Sequence, residues 1–300
     1  MAQKKNQAAI YAEYALARAL VWALRVLPLR AANKLARAAA RVLDSVVPRL
    51  RRVGLKNLSF ALPELSGRRH NEILDGVFGS IARMLVAIAR FPLLTPANIS
   101  EWIEYEGIEN YLDAKREGRG VLIATAHLGN WELSAFAHAL LTEPMCVMAR
   151  PLDNPLVDSI VENRRTLSGN RLIFKKDAAR AVMKALKDNQ AVGVLIDQNT
   201  SAAEGVFVNF FGKVACAGLA FVKLAHHSGA PVIPGFALWN AQTQRYTLRF
   251  YPRLALTGDV ERDTQTIHSA IENTIRQYPD QWMWIHRRWK TRPVGEPPLY

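Results

Sequence analysis

His127 and Glu132 are separated by Leu-Gly-Asn-Trp and follow directly on the apolar run Val121-Leu-Ile-Ala-Thr-Ala126. An imidazole titrates near neutrality and serves as a general base, and a carboxylate nearby can orient it. At ~100° per residue, positions five apart on one helix point about 140° away from each other. The pair therefore meets only if the chain bends between them, and Gly129-Asn130 is a turn signal that allows this. The pattern places a base and a carboxylate where a buried strand ends and a helix begins.

The elements that must hold this pair are legible from residue 100 onward. Short apolar runs at Val121–Ala126, Met145–Ala149, Leu172–Phe174, Ala191–Ile196, Pro231–Leu238 and Arg245–Tyr251 alternate with helical periodicity. Helices are expected from Trp131, over Pro155–Leu167, Asp177–Lys187 and Ala217–His227, and finally over Val260–Gln277. Buried strands separated by helices of this length imply an α/β fold, with a largely parallel mixed sheet covered by helices on both faces. Chemistry in such folds collects at the carboxyl ends of strands. His127, Arg150 and Asp197 each follow one of those ends, and their convergence on one edge singles out His127.

The first hundred residues read differently. The segment Ala8–Leu29 is apolar but carries Glu13, Arg18 and Arg25, so it is not a clean membrane span. In the next segment Arg30, Lys34, Arg37 and Arg41 fall within an arc of about 60°. Leu35, Ala39, Val42, Leu43 and Val46 occupy the other side, the pattern of a helix lying in a membrane interface. A further amphipathic helix is expected over Arg69–Ala89. The Pro-bearing stretch Phe91–Asn98 then divides the chain into a helical, membrane-associating region (1–95) and an α/β domain (96–300).

Composition narrows the partners. The 300 residues carry a formal charge of +13, a balance that attracts nucleic acid, anionic lipid or an acidic carrier protein. Two cysteines without C-x-x-C spacing argue against a disulfide framework or zinc ribbon. There is no G-x-S-x-G elbow, no Walker loop and no H-E-x-x-H, and no metal site is expected. A basic nucleic-acid-binding protein would explain the charge but not the His–Glu pair, and no nucleic-acid motif is present.

His127 with Glu132 resembles the H-x-x-x-x-[DE] pattern of membrane-associated glycerolipid-type acyltransferases. The text around it is closer still to the bacterial late acyltransferases of lipid A biosynthesis, the lauroyl and myristoyl transferases. The matching segments are Gly120-Val-Leu-Ile-Ala-Thr-Ala-His-Leu-Gly-Asn-Trp-Glu, Ala149-Arg-Pro-Leu-Asp-Asn-Pro and Leu195-Ile-Asp-Gln-Asn. Gly205-Val-Phe-Val-Asn-Phe-Phe-Gly, Val232-Ile-Pro and Trp284-Ile-His-Arg-Arg-Trp-Lys-Thr-Arg-Pro follow, and Arg52-Val-Gly-Leu-Lys-Asn-Leu fits the N-terminal section.

The resemblance implies transfer of a fatty acyl group from an acyl-carrier-protein or coenzyme A thioester to a hydroxyl of a lipid A precursor. No further cofactor is implied, and the work would take place on the cytoplasmic face of the bacterial inner membrane. A lysophospholipid or another glycolipid is the alternative acceptor. His127 would take the hydroxyl proton and Glu132 would orient the imidazole, with Asp197 as its rival. Backbone N–H groups at the helix start after Gly129 are candidate oxyanion donors. Asn130, Arg150, Asn154, Arg164, Asp197, Gln198, Phe211 and Arg287 are expected to bind substrate. Arg150 would meet phosphate or the donor's polar head, and Asn154 and Gln198 the sugar or its amides. Phe207, Phe210 and Phe211 would line an acyl groove. The Trp282–Trp289 run reads equally as an interfacial anchor or as closure of the fold.

Overall fold

Val121 and Ile123 pack into one side of the sheet, while Leu122 and Ala124 pack into the other. A strand with no wet face needs helices above and below it. The computed structural model, which describes residues 6–174 and 178–300, supplies them. Four helices come first: α1 (Gln7–Val26), α2 (Leu29–Val46), α3 (Pro48–Ala61) and α4 (Gly67–Arg90). A 3-10 turn at Phe91–Leu93 ends α4 where Pro92 interrupts it.

Strand β1 (Ile103–Glu106), α5 (Ile108–Arg116), β2 (Val121–Thr125), α6 (Trp131–Leu141) and β3 (Cys146–Ala149) follow. Then come α7 (Pro155–Thr166), β4 (Arg171–Phe174), α8 (Ala178–Lys187) and β5 (Ala191–Leu195). The chain closes with β6 (Gly205–Phe210), β7 (Lys213–Gly218), α9 (Ala220–Ser228), β8 (Val232–Asn240), β9 (Arg245–Phe250) and α10 (Val260–Gln277). The main sheet runs β1-β9-β8-β2-β5-β3-β4, and among these strands only the β8–β9 pairing is antiparallel. The mixed, mostly parallel α/β architecture agrees with the alternation in the sequence.

Two differences are informative. The helix expected from Ala217 starts at Ala220, because Ala217 and Gly218 pair with Val206 and Gly205 in the separate β6–β7 hairpin. Strand β1 has only four residues, too short to carry a periodic signal. The expected start of the eighth helix, Asp177, lies outside the described residues.

Helix α2 packs by its smallest side chains. Ala32, Ala36 and Ala40 are buried with Phe78, Ala82 and Val86 of α4. Arg30, Lys34, Arg37 and Arg41 are exposed, as the stripe requires. The larger aliphatics are exposed as well: Val42 at 60% and Val46 at 73%. Among the described residues no helix is long and apolar enough to cross a membrane.

The alanine stripe lets α2 approach α4 closely. Ala36→Leu is therefore expected to destabilise the fold by about 1–3 kcal/mol through overpacking. Val46→Ser should leave stability within about 0.5 kcal/mol. Denaturant unfolding of the detergent-solubilised protein measures both.

Candidate active site

Residues 127–130 leave the end of β2 and are sewn to two other segments. Gly129 N–H donates to the Gln281 carbonyl (3.0 Å), Met283 N–H donates to that of His127 (3.0 Å), and Asn130 N–H donates to that of Ala237 (2.9 Å). Gly129 has φ +66°, and a Cβ there would lie 1.9 Å from the Ala237 carbonyl oxygen. Only glycine fits. The Asn130 side chain, fully buried, caps α6 by accepting from Leu133 N–H at 3.0 Å. Asn130 therefore builds the bend instead of meeting substrate. The Gly129 and Asn130 N–H groups, already committed to carbonyls, are not free to act as oxyanion donors.

The bend turns His127 toward Asp197, not Glu132. His127 Nδ1 lies 2.8 Å from Asp197 Oδ1, and the His127 backbone N–H donates to Oδ2 at 3.0 Å. The Trp282 indole N–H also donates to Oδ2, at 2.7 Å. Asp197 is only 2% exposed. Burial opposes its charge, but the His127 ring and the hydrogen bonds from His127 and Trp282 prevail and push its pKa down to about 2. For His127, burial works against protonation; the Asp197 charge and hydrogen bond outweigh it and raise the imidazole above its ordinary value. A carboxylate on Nδ1 fixes the proton there and leaves Nε2 as the basic atom of the ring. Gln198 Nε2 stands 3.3 Å from that atom.

The expected His127–Glu132 contact is thus replaced. Glu132 faces Arg165, which donates through Nε to Oε2 at 2.8 Å and through Nη2 to Oε1 at 2.5 Å. The neighbouring Trp131 indole donates to Oε1 at 3.1 Å. Two parallel N–H···O bonds make a planar, bidentate pair. Glu132 acts on the imidazole only through space, favouring its protonated form while Arg165 opposes it.

His127, Glu132, Arg165 and Gln198 stand at a cavity of about 640 Å³. Its wall follows three adjacent strands: Ile123 and Thr125 on β2, Gly193 and Leu195 on β5, and Met145 just before β3 with Val147 on it. The opposite wall is α6, with Ala135, Phe136 and His138. At ~3.3 Å per residue, Ile123 lies about 7 Å below Thr125, the last residue of β2. Gly193 makes room for the Met145 side chain, whose Cε a Cβ there would approach to 2.8 Å. At the deep end His138 is paired with the Tyr105 hydroxyl at 2.8 Å. Burial lowers its pKa to about 4, so it is neutral at physiological pH.

The remaining expected residues fall in several places. Arg150 lies at the cavity rim, highly exposed, with Asp153 at 3.4 Å. Asn154 is buried elsewhere: it caps α7 and its amide donates to the Ile10 carbonyl (3.0 Å) and Glu13 Oε2 (2.9 Å), tying α1 to the α/β region. Arg164 faces α1, away from the cavity. Phe211 is buried under the Arg276 guanidinium, 4.5 Å from its ring centroid, and packs with Trp284. Phe207, Phe210 and Phe211 belong to the hairpin and not to the cavity wall. Arg287 lies over the Tyr300 ring, outside that wall. Trp282, Trp284, Arg288 and Trp289 are all fully buried, so the C-terminal run closes the fold. Arg165 and Trp282 are the site residues that local spacing underrates.

The chain matches the family described as bacterial lipid A biosynthesis acyltransferase over residues 2–291. It is 29% identical over 251 residues to the lipid A biosynthesis palmitoleoyltransferase of Escherichia coli, covering 83% of this chain and 81% of that protein. It is 27% identical over 284 residues to the lipid A biosynthesis lauroyltransferase of the same organism, covering 94% and 92%. A lipid A biosynthesis acyltransferase of Haemophilus influenzae is 27% identical over 242 residues, 80% of this chain and 76% of that protein. These matches take in both the N-terminal helices and the sheet, so the chain belongs to the bacterial lipid A biosynthesis acyltransferase family and is an acyltransferase.

Proposed function

We propose that this acyltransferase moves a fatty acyl group from a carrier-protein or coenzyme A thioester to a hydroxyl of a lipid A precursor. One observation carries the reading: a His–Asp pair whose basic imidazole Nε2 is met by the Gln198 amide stands at the mouth of a deep, mainly apolar cavity. The cavity takes the acyl chain, and the thioester carbonyl rests beside His127. Nε2 removes the proton of the attacking hydroxyl, and the oxygen adds to the carbonyl carbon. The tetrahedral oxyanion collapses, the C–S bond breaks, and the imidazolium returns the proton to the departing sulfur. Asp197 stays ionised throughout and stabilises the imidazolium. The Gln198 amide and the Arg165 guanidinium are the nearby donors suited to the oxyanion. Glu132 is a positioning residue that holds Arg165.

The protein works against a membrane surface in this reading. Tyr11, Leu16, Trp22, Val26, Val42 and Val46 form much of the exposed apolar surface of α1 and α2, beside the cationic stripe of α2. Apolar side chains flanked by arginines suit an interfacial helix on anionic lipid. The cytoplasmic location of acyl thioesters favours the inner face of the inner membrane. A carrier protein, being acidic, suits the same basic surface.

His127→Ala is expected to reduce transfer by about 10²–10⁴-fold, and Asp197→Asn by a similar factor. Acyl transfer to lipid, followed by mass spectrometry in purified membranes, measures both; undiminished transfer by His127→Ala would end the mechanism. Activity should fall as pH drops through the raised His127 pKa, because only the neutral ring accepts a proton. In Asp197→Asn the residual activity should keep its acid limb to lower pH. Gly193→Leu should fill the deep cavity and shift donor preference to shorter chains, read from competition among a ladder of acyl thioesters. An unchanged preference would mean that the cavity does not hold the acyl chain.

A further inference from the structure

Helices α1 and α7 meet along a groove of about 290 Å³ lined by Tyr14, Arg18, Val21, Trp22, Arg25 and Arg164, among others. The α1 members recur at helical spacing and share one face. Three guanidiniums converge there, and among the described residues none of the three has a carboxylate in ion-pair distance. Burial and the charge of Arg25 both disfavour the charged form of Arg164, so these two guanidiniums repel each other. An anion with several oxygens relieves that repulsion, and planar guanidiniums suit it.

The surroundings narrow the kind of anion. Trp22 is 65% exposed and Leu16 73% exposed on the same helix, surface that water solvates poorly and lipid does not. Arg164 and Arg165 are consecutive on α7 and point about 100° apart. One faces the groove, while the other reaches Glu132 in the catalytic cavity. The groove and the cavity therefore share α7 as a common wall, about 10 Å thick with its side chains.

We propose that this groove binds a phosphate group on the acyl acceptor, held by Arg18, Arg25 and Arg164 while the acceptor's hydroxyl reaches His127 around α7. The inference rests on the acyl-transfer reading for its role, though not for the binding itself. It assigns substrate recognition to α1, a helix otherwise explained only by packing and membrane contact. Asn154 gains a purpose too, since its amide holds α1 against α7 at the groove's edge.

The test is Arg18→Gln/Arg25→Gln in the full-length protein. Kinetics should show KM for a phosphorylated acceptor rising about tenfold or more, with kcat and the KM for the acyl donor nearly unchanged. With the dephosphorylated acceptor, wild type and variant should have the same KM. A rise in donor KM instead would make the groove a carrier-protein site, and an unchanged acceptor KM would overturn the proposal outright. Co-sedimentation supplies an arm independent of catalysis. Wild type should bind phosphatidylcholine vesicles more tightly when phosphatidate is added than when phosphatidylglycerol supplies equal charge, and the variant should lose that difference. Equal binding by the two proteins would contradict the site. Phosphatidate-selective binding without transfer to any lipid would instead refute the proposed function and leave the site standing.

Discussion

Everything at the centre of this protein depends on one buried carboxylate. Asp197 accepts from the His127 ring, the His127 backbone and the Trp282 indole, and it has almost no contact with water. A lone buried carboxylate would take up a proton. Three donors keep it charged, and in doing so they fix where three chain segments meet: the end of β2, the end of β5 and the C-terminal closure. The aromatic C-terminal run therefore has a chemical consequence, because burying Trp282 delivers its N–H to Asp197.

Around that anchor the sheet and helices divide the work. The strand pleat sends residues of β2, β5 and β3 into one cavity, and a glycine in the middle strand makes room there for Met145. Helix α7 serves both its sides, with Arg165 paired to Glu132 inside and Arg164 turned toward α1 outside. Asn154, at the start of the same helix, both caps it and pins α1 in place. Local capping and long-range assembly thus meet in one side chain.

Much of this was legible in the chain. The apolar runs gave the strands of the main sheet apart from β1, because fully buried parallel strands read as continuous hydrophobic stretches. The convergence of His127 and Asp197 followed from strand ends sharing an edge. The choice between Glu132 and Asp197 did not, since spacing along the chain carries no information on a partner 70 residues away. Glu132 turned out to need its own cation, and its guanidinium lies a helix away. Asn130, Asn154 and Phe211 carried side chains suited to ligands but were claimed by caps and core. The inverse held for α2, where alanines do the packing and the larger residues stay outside, because close helix approach favours the smallest side chains. The hairpin is not legible as a unit, because the segment from Ala217 has the periodicity of the following helix while Ala217 and Gly218 pair in β7.

The central claim is that Asp197, and not Glu132, sets the state of the His127 imidazole. Nitrogen-15 NMR of the histidine ring in the wild type, Asp197→Asn and Glu132→Gln tests it directly. The wild type should hold its neutral proton on Nδ1 with a pKa above the ordinary histidine value. Glu132→Gln should keep the Nδ1–H form with a modestly lower pKa, whereas Asp197→Asn should lose both the tautomer preference and the upward shift. Loss of the Nδ1–H form in Glu132→Gln, with its retention in Asp197→Asn, would contradict the claim and make Glu132 the imidazole's partner.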